Sequence, residues 1–146
     1  MQNFSKGTIF FSLFLIIPFL SPKLHLELLL KTDKQSYSPK EPILIQLIVT
    51  NKMSKVFKST FASAQRYDFV VRKEKEEIWR WSEDKMFAMV LTEFILPPQQ
   101  SVTYQERWTQ QDEEGRTIPA GKYEIIGILK TQPEIISSSV LVEITP

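Results

Sequence analysis

Hydrophobic and polar residues alternate with a period of two along most of the chain, a pattern typical of half-buried β-strands. Leu24, Leu26, Leu28 and Leu30 open the pattern, and turn residues such as proline, serine and aspartate separate the later segments. Regularly spaced short strands predict an all-β antiparallel β-sandwich of eight or nine strands. We expect the strands at 24–31, 42–51 (a central one), 56–61, 66–72, 77–81, 91–96, 101–108, 122–131 and 138–144.

One interval interrupts the alternation. Residues 82–85 read as a loop or a helix start, because Ser82 suits an N-cap and Glu83 and Asp84 suit a first helical turn. Residues 86–90 follow as a predicted short helical turn.

The first 22 residues differ from the rest. Residues 8–20 carry no charge and are almost all apolar, and Lys6 precedes them. This predicts a hydrophobic helix serving as a signal peptide or membrane anchor over 1–22, with the folded domain at 23–146 and an extracytoplasmic location, secreted or anchored by residues 8–20. No small-x-small cleavage site occurs, which leaves cleavage and retention both open. A buried strand at the domain edge is the other interpretation.

Charge and cysteine content narrow the classes of partner. The chain has 18 basic and 17 acidic residues, and Lys6 is the only charged residue among the first 22. This balance argues against nucleic-acid binding and against a polybasic membrane patch, so a membrane would be contacted only through the N-terminal segment. Cysteine is absent, which excludes disulfides, thiolate nucleophiles and cysteine-ligated metals.

The sequence contains few candidate catalytic residues and no catalytic motif, so we expect no enzyme activity and no cofactor. His25 is the single histidine, and no Gly-x-Ser-x-Gly motif is present. The acidic runs 83–84 and 112–114 lack the spacing and glycine of a calcium loop, so no metal site is predicted either.

Large aromatic residues are the most conspicuous side chains of the middle region: Tyr67, Phe69, Trp79, Trp81 and Trp108. Because they alternate with polar residues, packing between two sheets is the favoured interpretation. An exposed aromatic patch that grips a protein partner is the alternative.

Several motifs, in order, resemble the BsuPI family of intracellular proteinase inhibitors over about residues 45–130. They comprise an aromatic-Asp-aliphatic run at 67–71, Trp-x-Trp-Ser at 79–82 with Phe87 downstream, a prolyl pair at 97–98, and Pro-Ala-Gly-x-Tyr at 119–123. The resemblance implies an immunoglobulin-like β-sandwich and a proteinase-inhibitor function. Three departures are the hydrophobic N-terminus and the turns at 73–76 and 97–100, which contain no glycine.

Three residues of these motifs have expected structural roles. Tyr123 is expected to tie a loop to the backbone through its hydroxyl, and Gly121 to allow the close turn before it. Asp68 is expected to accept hydrogen bonds from a neighbouring loop, or to pair with Arg66 or Arg80.

Two loops are candidates for contact with a protein partner, possibly a serine protease. Residues 82–88 offer Lys85, Met86 and Phe87, and residues 109–121 offer Arg116 and Thr117. Pairing through an edge strand is another route. The rival hypothesis is a non-inhibitory immunoglobulin-like interaction or structural module of the bacterial cell envelope. In either case we expect a monomer.

Overall fold

The structure, a computed structural model, describes residues 26–146, and this range contains eleven β-strands and no helix. The all-β prediction is confirmed. The strands are β1 (Leu26–Thr32), β2 (Ser36–Tyr37), β3 (Ile43–Asn51), β4 (Phe57–Phe61), β5 (Tyr67–Lys73), β6 (Glu76–Arg80), β7 (Thr92–Leu96), β8 (Ser101–Trp108), β9 (Gly121–Leu129), β10 (Ile135–Ile136) and β11 (Val140–Ile144).

The first sheet has the order β1-β3-β8, with both pairings antiparallel. Central β3 alternates fully buried with half-buried positions, and Ile43, Ile45, Leu47 and Val49 have no solvent exposure. The outward side of β3 is partly covered too, which matches its two-sided apolar sequence.

The second sheet has the order β2-β11-β9-β5-β6, and β10 pairs with β9 beside this path. Strand β9 is the spine of the sheet, because β5, β10 and β11 all pair with it. Strand β11 therefore lies between β2, from the start of the described residues, and β9.

The core lies between these two sheets and draws buried side chains from both. Gly127 of β9 marks their closest approach: a Cβ at this position would lie 3.0 Å from Cδ1 of Leu47 and 3.2 Å from Cδ1 of Leu30. A glycine is needed here because the two opposing leucines fill the space that a side chain would occupy. The molecule is a β-sandwich.

Strands β4 and β7, which are distant in sequence, pair antiparallel as a separate two-stranded sheet. Buried Asn51 ties it to the first sheet, since its side-chain amide donates to the carbonyls of Lys55 and Leu96 at 2.8 and 2.9 Å. The Gln132 amide reaches Thr60 O from beyond β9 at 2.9 Å. These bonds position β7, into which the segment after β6 leads.

Three sequence expectations need correction. The count of eight or nine strands was too low, because the two-residue strands β2 and β10 are too short to show alternation. The sandwich is not purely antiparallel, since β2 pairs with β11 in parallel. The helical turn expected at 86–90 is absent: this segment has no regular secondary structure, and the Ala88 carbonyl accepts from the amides of Ala64 and Val90.

The turns without glycine adopt left-handed backbone conformations all the same. Glu74 and Lys75 in the β5–β6 turn have φ of 51° and 68°, and Gln99 in the turn before β8 has φ of 62°. Two consecutive left-handed residues are what a two-residue hairpin with a type I′ turn requires. The tight turn between β5 and β6 is therefore made with unfavourable backbone conformations in residues that carry a Cβ.

The predicted N-terminal helix, the signal peptide or anchor over 1–22 and His25 lie outside the described residues. Within residues 26–146, no helix is long and apolar enough to cross a membrane.

Candidate functional site

The crossing segment, residues 82–91, leaves β6 of the second sheet and leads into β7. It contains no regular secondary structure after the turn at 82–84. Met86 is 99% exposed and Met89 is 83% exposed, and Val90 and Leu91 are also largely in solvent. Such a run of exposed apolar side chains on a domain with a well-formed core is a feature of interaction surfaces.

The start of the crossing segment is fixed by a buried carboxylate. Asp68 is 1% exposed and accepts hydrogen bonds from the amide and hydroxyl of Ser82 at 3.2 and 2.5 Å. It also pairs with Nη1 of Arg80 at 3.1 Å. Burial lowers the pKa of Arg80, but the carboxylates of Glu77 and Asp68 outweigh this effect and raise its pKa above the ordinary value. The Asp68 carboxylate therefore accepts from the charged Arg80 side chain and from the neutral groups of Ser82. These bonds fix the position of Ser82, the second residue after the end of β6.

The middle of the segment rests on a stack of aromatic rings. Phe87 packs on Trp81 with ring centroids 5.9 Å apart, and Trp81 stacks on Tyr67 at 4.6 Å. Tyr67 in turn stacks on Tyr104 of β8 at 4.7 Å. Lys85 Nζ lies 4.9 Å from the Trp81 ring centroid, a cation–π contact. Residues on both sides of Met86 are therefore attached to Trp81, while Met86 itself projects outward.

The stack also joins the two sheets. Tyr67 of β5 donates its hydroxyl hydrogen to Oε1 of Glu106 on β8 at 2.5 Å. Burial raises the pKa of Tyr67, and the Glu106 carboxylate raises it further. Tyr67 thus stays a neutral donor, and its hydrogen bond joins β5 to β8 beneath the crossing segment.

The end of the segment is held through its backbone. The carbonyl of Ala88 accepts from the amides of Ala64 and Val90 at 2.8 and 3.0 Å. The amides of Met86 and Met89 have no acceptor within residues 26–146. Free backbone donors in an exposed, anchored segment are groups with which the backbone of a partner can pair.

A cleft of about 500 Å³ lies beside Met89. Its walls combine apolar atoms with the amides and charges of the chain after β9, and Lys130 forms an ion pair there with Glu134. The lining residues are Ala62, Ser63, Gln65, Met89, Lys130, Thr131, Gln132, Pro133 and Glu134. The cleft extends the surface that a partner on the crossing segment would meet.

The second candidate is the polar loop of residues 109–120, in which charged side chains pair with one another. Arg116 is exposed, but its guanidinium pairs with Asp112 at 2.8 Å and with Glu114 at 2.9 Å. The hydrogen bond and charge of Asp112 raise the pKa of Arg116. Asp112 also accepts from the amides of Glu114 and Arg116 at 3.0 and 2.9 Å. Thr117 is exposed beside Arg116 and lies in an isolated bridge with Gln111.

The polar loop is anchored by two aromatic side chains, one near each end. The Tyr123 hydroxyl donates to Pro119 O at 2.6 Å, and Nε1 of Trp108 donates to Gln111 O at 2.8 Å. Gly121 has φ of 148°, a conformation that L side chains rarely adopt. Tyr123 and Trp108 are both buried, so the loop is attached directly to the core.

Glu113 attaches the same loop to the outer edge of β6. Its amide donates to Ile78 O at 3.1 Å, and its carboxylate accepts from the Arg80 amide. Burial raises the pKa of Glu113, and the charges of Glu83, Glu77 and Asp84 add to this effect. The polar loop therefore covers part of an edge that would otherwise be open.

The aromatic residues divide between core and platform. Phe69 and Trp108 are fully buried, whereas Tyr67, Trp79 and Trp81 are half-buried against the core. Trp79 packs on Trp108, with centroids 6.0 Å apart. The structure brings Lys85, Met86 and Phe87 together with Tyr67, Asp68 and Trp81, and it places Arg116 and Thr117 in the separate polar loop.

Sequence reasoning missed Met89, Val90 and Leu91 as surface candidates. The signal was present, because the run Met-Phe-Ala-Met-Val-Leu at 86–91 shows neither strand nor helix amphipathicity. Among residues 26–146, no cluster of three or more histidine, aspartate or glutamate side chains is arranged to hold a metal ion.

Comparison with known proteins identifies a family. The model of the BsuPI family, described as intracellular proteinase inhibitor, matches residues 30–134. This match covers both the crossing segment and the polar loop. No curated protein matches the chain significantly.

Solved structures match the fold at low identity. The alkylpurine DNA glycosylase AlkC of Pseudomonas fluorescens matches at 11% identity and a TM-score of 0.51, covering 84% of this chain and 31% of that one. A cycloisomaltooligosaccharide glucanotransferase of Paenibacillus sp. matches at 13% identity and 0.51, covering 82% and 14%. These two matches show a shared fold alone, and this chain spans less than a third of either protein. The CARDB domain of a Pyrococcus furiosus protein matches at 12% identity and 0.48, covering 83% and 94%.

The family match corrects the expected location. The hydrophobic run at 8–20 led to the prediction of a secreted or membrane-anchored protein outside the cytoplasm. The matched family is described as intracellular, and this contradicts that prediction. An apolar run with one preceding lysine is therefore an insufficient signal of export here.

Proposed function

Because this chain belongs to the BsuPI family of intracellular proteinase inhibitors, we propose that it inhibits a protease by placing the crossing segment in the active-site cleft. A protein that blocks such a cleft needs an exposed stretch of backbone that is held in shape before binding. Preorganisation matters because less conformational freedom is then lost on association.

The observation that carries the proposal is the exposure of Met86 between attached neighbours. Its side chain is 99% exposed, yet Lys85 and Phe87 on either side both contact Trp81. Ser82 upstream is bound to buried Asp68, and Ala88 downstream is bound to Ala64. The side chain that enters a pocket is thus free, while the backbone that presents it is restrained.

Backbone pairing supplies the second part of the interaction. The amides of Met86 and Met89 lack acceptors within the described residues, so they are available to carbonyls of a protease cleft. The apolar side chains at 86 and 89 favour a protease with an apolar pocket for unbranched residues. Lys85 and Phe87 act chiefly by positioning Met86.

The polar loop is the weaker contact surface. Arg116, the residue that would suit a trypsin-like pocket, is paired with two carboxylates. Entry into a pocket would require both ion pairs to break, whereas Met86 makes no comparable contact. Arg116 and Thr117 therefore serve as the comparison site in the test.

The test is titration of the full-length chain against a panel of serine proteases of known active concentration, subtilisin-like enzymes included. Residual protease activity and the integrity of the chain are followed together. Stoichiometric inhibition with an intact chain is the expected result. Met86→Asp is expected to raise the inhibition constant about a hundredfold, because a charge would enter an apolar pocket.

Two controls make the test specific. Leu141→Asp introduces the same charge at an exposed apolar position of β11 and is expected to leave inhibition unchanged. Arg116→Ala is expected to do the same. The proposal would be contradicted if every protease kept its full activity, or if Met86→Asp inhibited as well as the parent. Loss of inhibition with Arg116→Ala alone would place the site in the polar loop.

A further inference from the structure

The methionines of this chain are unevenly placed. Within residues 26–146 there are three: Met86 and Met89 lie three positions apart in the crossing segment, at 99% and 83% exposure, while Met53 lies half-buried in the turn after β3. The whole chain has no cysteine. Two-electron oxidants that normally meet thiols first therefore meet thioethers here.

We propose that Met86 and Met89 form a modification site, at which oxidation to methionine sulfoxide switches off protease binding. This inference rests on the proposed function, because it places the modification in the surface that contacts the protease. The reactive species is a hydroperoxide, hydrogen peroxide being the simplest.

The chemical step needs no group from the protein besides the thioether. A lone pair on the sulfur attacks one oxygen of the hydroperoxide, the O–O bond breaks, and a sulfur–oxygen bond forms. The sulfur is oxidised by two electrons, and the remaining oxygen leaves as water, or as an alcohol, after taking up the proton. Reduction by a dithiol reverses the step, giving the thioether, a disulfide and water.

Access decides which sulfur reacts. Oxidation of a methionine follows its exposure, because the oxidant must approach the sulfur directly. Met86 and Met89 face solvent, and the contacts that hold the crossing segment come from neighbouring side chains and from the backbone at Ala88. Their oxidation therefore leaves the fold intact, including the stack of Phe87 on Trp81.

The consequence for binding follows from polarity. A sulfoxide is a strong hydrogen-bond acceptor, and burying it in an apolar pocket without a donor is unfavourable. We expect the inhibition constant to rise roughly tenfold to a hundredfold on oxidation.

The experiment treats the full-length chain with hydrogen peroxide and follows oxidation of each methionine by peptide mass spectrometry. Aliquots are assayed for protease inhibition at the same times. The peptide carrying Met86 and Met89 is expected to gain oxygen several times faster than the peptide carrying Met53. Inhibition should fall in step with the first peptide and return after treatment with a methionine sulfoxide reductase and dithiothreitol.

A variant pair assigns the effect. Met86→Leu combined with Met89→Leu removes both sulfurs, and its inhibition constant, whatever the starting value, is expected not to change with peroxide. Met53→Leu, the matched control, should lose inhibition on oxidation as the parent does. Equal rates of oxidation in the two peptides, or the same peroxide effect on the double variant as on the parent, would overturn the proposal.

Failure of the proposed function gives a different result. In that case the untreated chain inhibits no protease, and there is no inhibition for oxidation to reduce. The peptide masses still decide whether Met86 and Met89 are selectively oxidised. Selective oxidation without inhibition would overturn the regulatory role and leave an oxidation site.

Discussion

The crossing segment and the polar loop are both irregular stretches of about ten residues attached to the same edge strand, yet they present opposite surfaces. In the crossing segment, the backbone is held and apolar side chains face solvent. In the polar loop, an exposed arginine is neutralised by two acids of the same loop. A charged residue at a loop tip is thus a poor indicator of a binding site when its partners are local.

The manner of attachment differs as well. One buried carboxylate, Asp68, fixes the start of the crossing segment, and stacked rings support its middle. The polar loop is held by hydrogen bonds within itself, by Glu113 on β6, and by the Trp108 indole and the Tyr123 hydroxyl near its ends. Removing single groups should therefore affect the two regions separately and by different amounts.

The largest expected effect is at Asp68. The substitution Asp68→Ala leaves Arg80 without one of its two carboxylates and Ser82 without an acceptor, in a place with little access for water. We expect the free energy of unfolding to fall by about 3 kcal/mol, as measured by urea denaturation, and inhibition to weaken because the crossing segment loses its anchor.

Asp84→Ala is the matched control, because Asp84 is an exposed acid of the same segment. It should change stability by no more than about 0.5 kcal/mol. A loss below about 1 kcal/mol for Asp68→Ala would mean that the aromatic stack alone holds the segment.

An intermediate effect is expected at the other region. Tyr123→Phe keeps the buried ring and removes the hydroxyl that donates to Pro119 O. The free energy of unfolding should fall by about 1–2 kcal/mol, since a carbonyl loses its donor, while protease inhibition stays unchanged. Tyr104→Phe is the control: its hydroxyl makes no hydrogen bond within residues 26–146. Equal losses from the two variants would show that the Pro119 contact is not stabilising.

The smallest expected effect is an acid transition of the polar loop. Burial would raise the pKa of Asp112, but hydrogen bonds from Arg116 and Glu114 outweigh it and hold the pKa below the ordinary 3.8. A lowered carboxyl pKa stabilises the folded loop above that value, and the contribution is lost as the pH falls through the folded-state pKa.

Nuclear magnetic resonance checks this directly. The amide proton shifts of Glu114 and Arg116, both donors to Asp112, should titrate together with a midpoint below 3.8. Asp112→Asn should remove the common step. A midpoint at or above 3.8 in the parent would contradict the assignment.

Period-two alternation was sufficient to predict the long strands and the all-β class, because each of those strands has one face in the core. It was insufficient for β2 and β10, which have two residues each and form through partners distant in sequence. The same limit explains the wrong helical turn at 86–90. Local residues there permit a helix, but the Ala88 carbonyl accepts instead from the amide of Ala64, which is distant in sequence, and from the amide of Val90.

The candidate site was only partly predictable for a related reason. Trp81, Phe87 and Asp68 stand out as residue types, and the aromatic motif placed them near one another. The ring stack that supports the crossing segment also includes Tyr67, which contacts Tyr104 and Glu106 of β8. Strand β8 belongs to the other sheet. No local pattern indicates which strand of one sheet faces which strand of the other.

The parallel pairing of β2 with β11 has a consequence for synthesis on the ribosome. Ser36 of β2 pairs with Glu143 of β11. Strand β2 is synthesised early, but it cannot form this pairing until β11 has been synthesised. Until β11 emerges, the nascent chain carries open edges on β2 and β9, and non-local pairing of this kind is slow and prone to aggregation. Synthesis of β11, rather than any local event, is therefore the step that closes this sheet and protects the nascent chain from pairing with neighbouring chains.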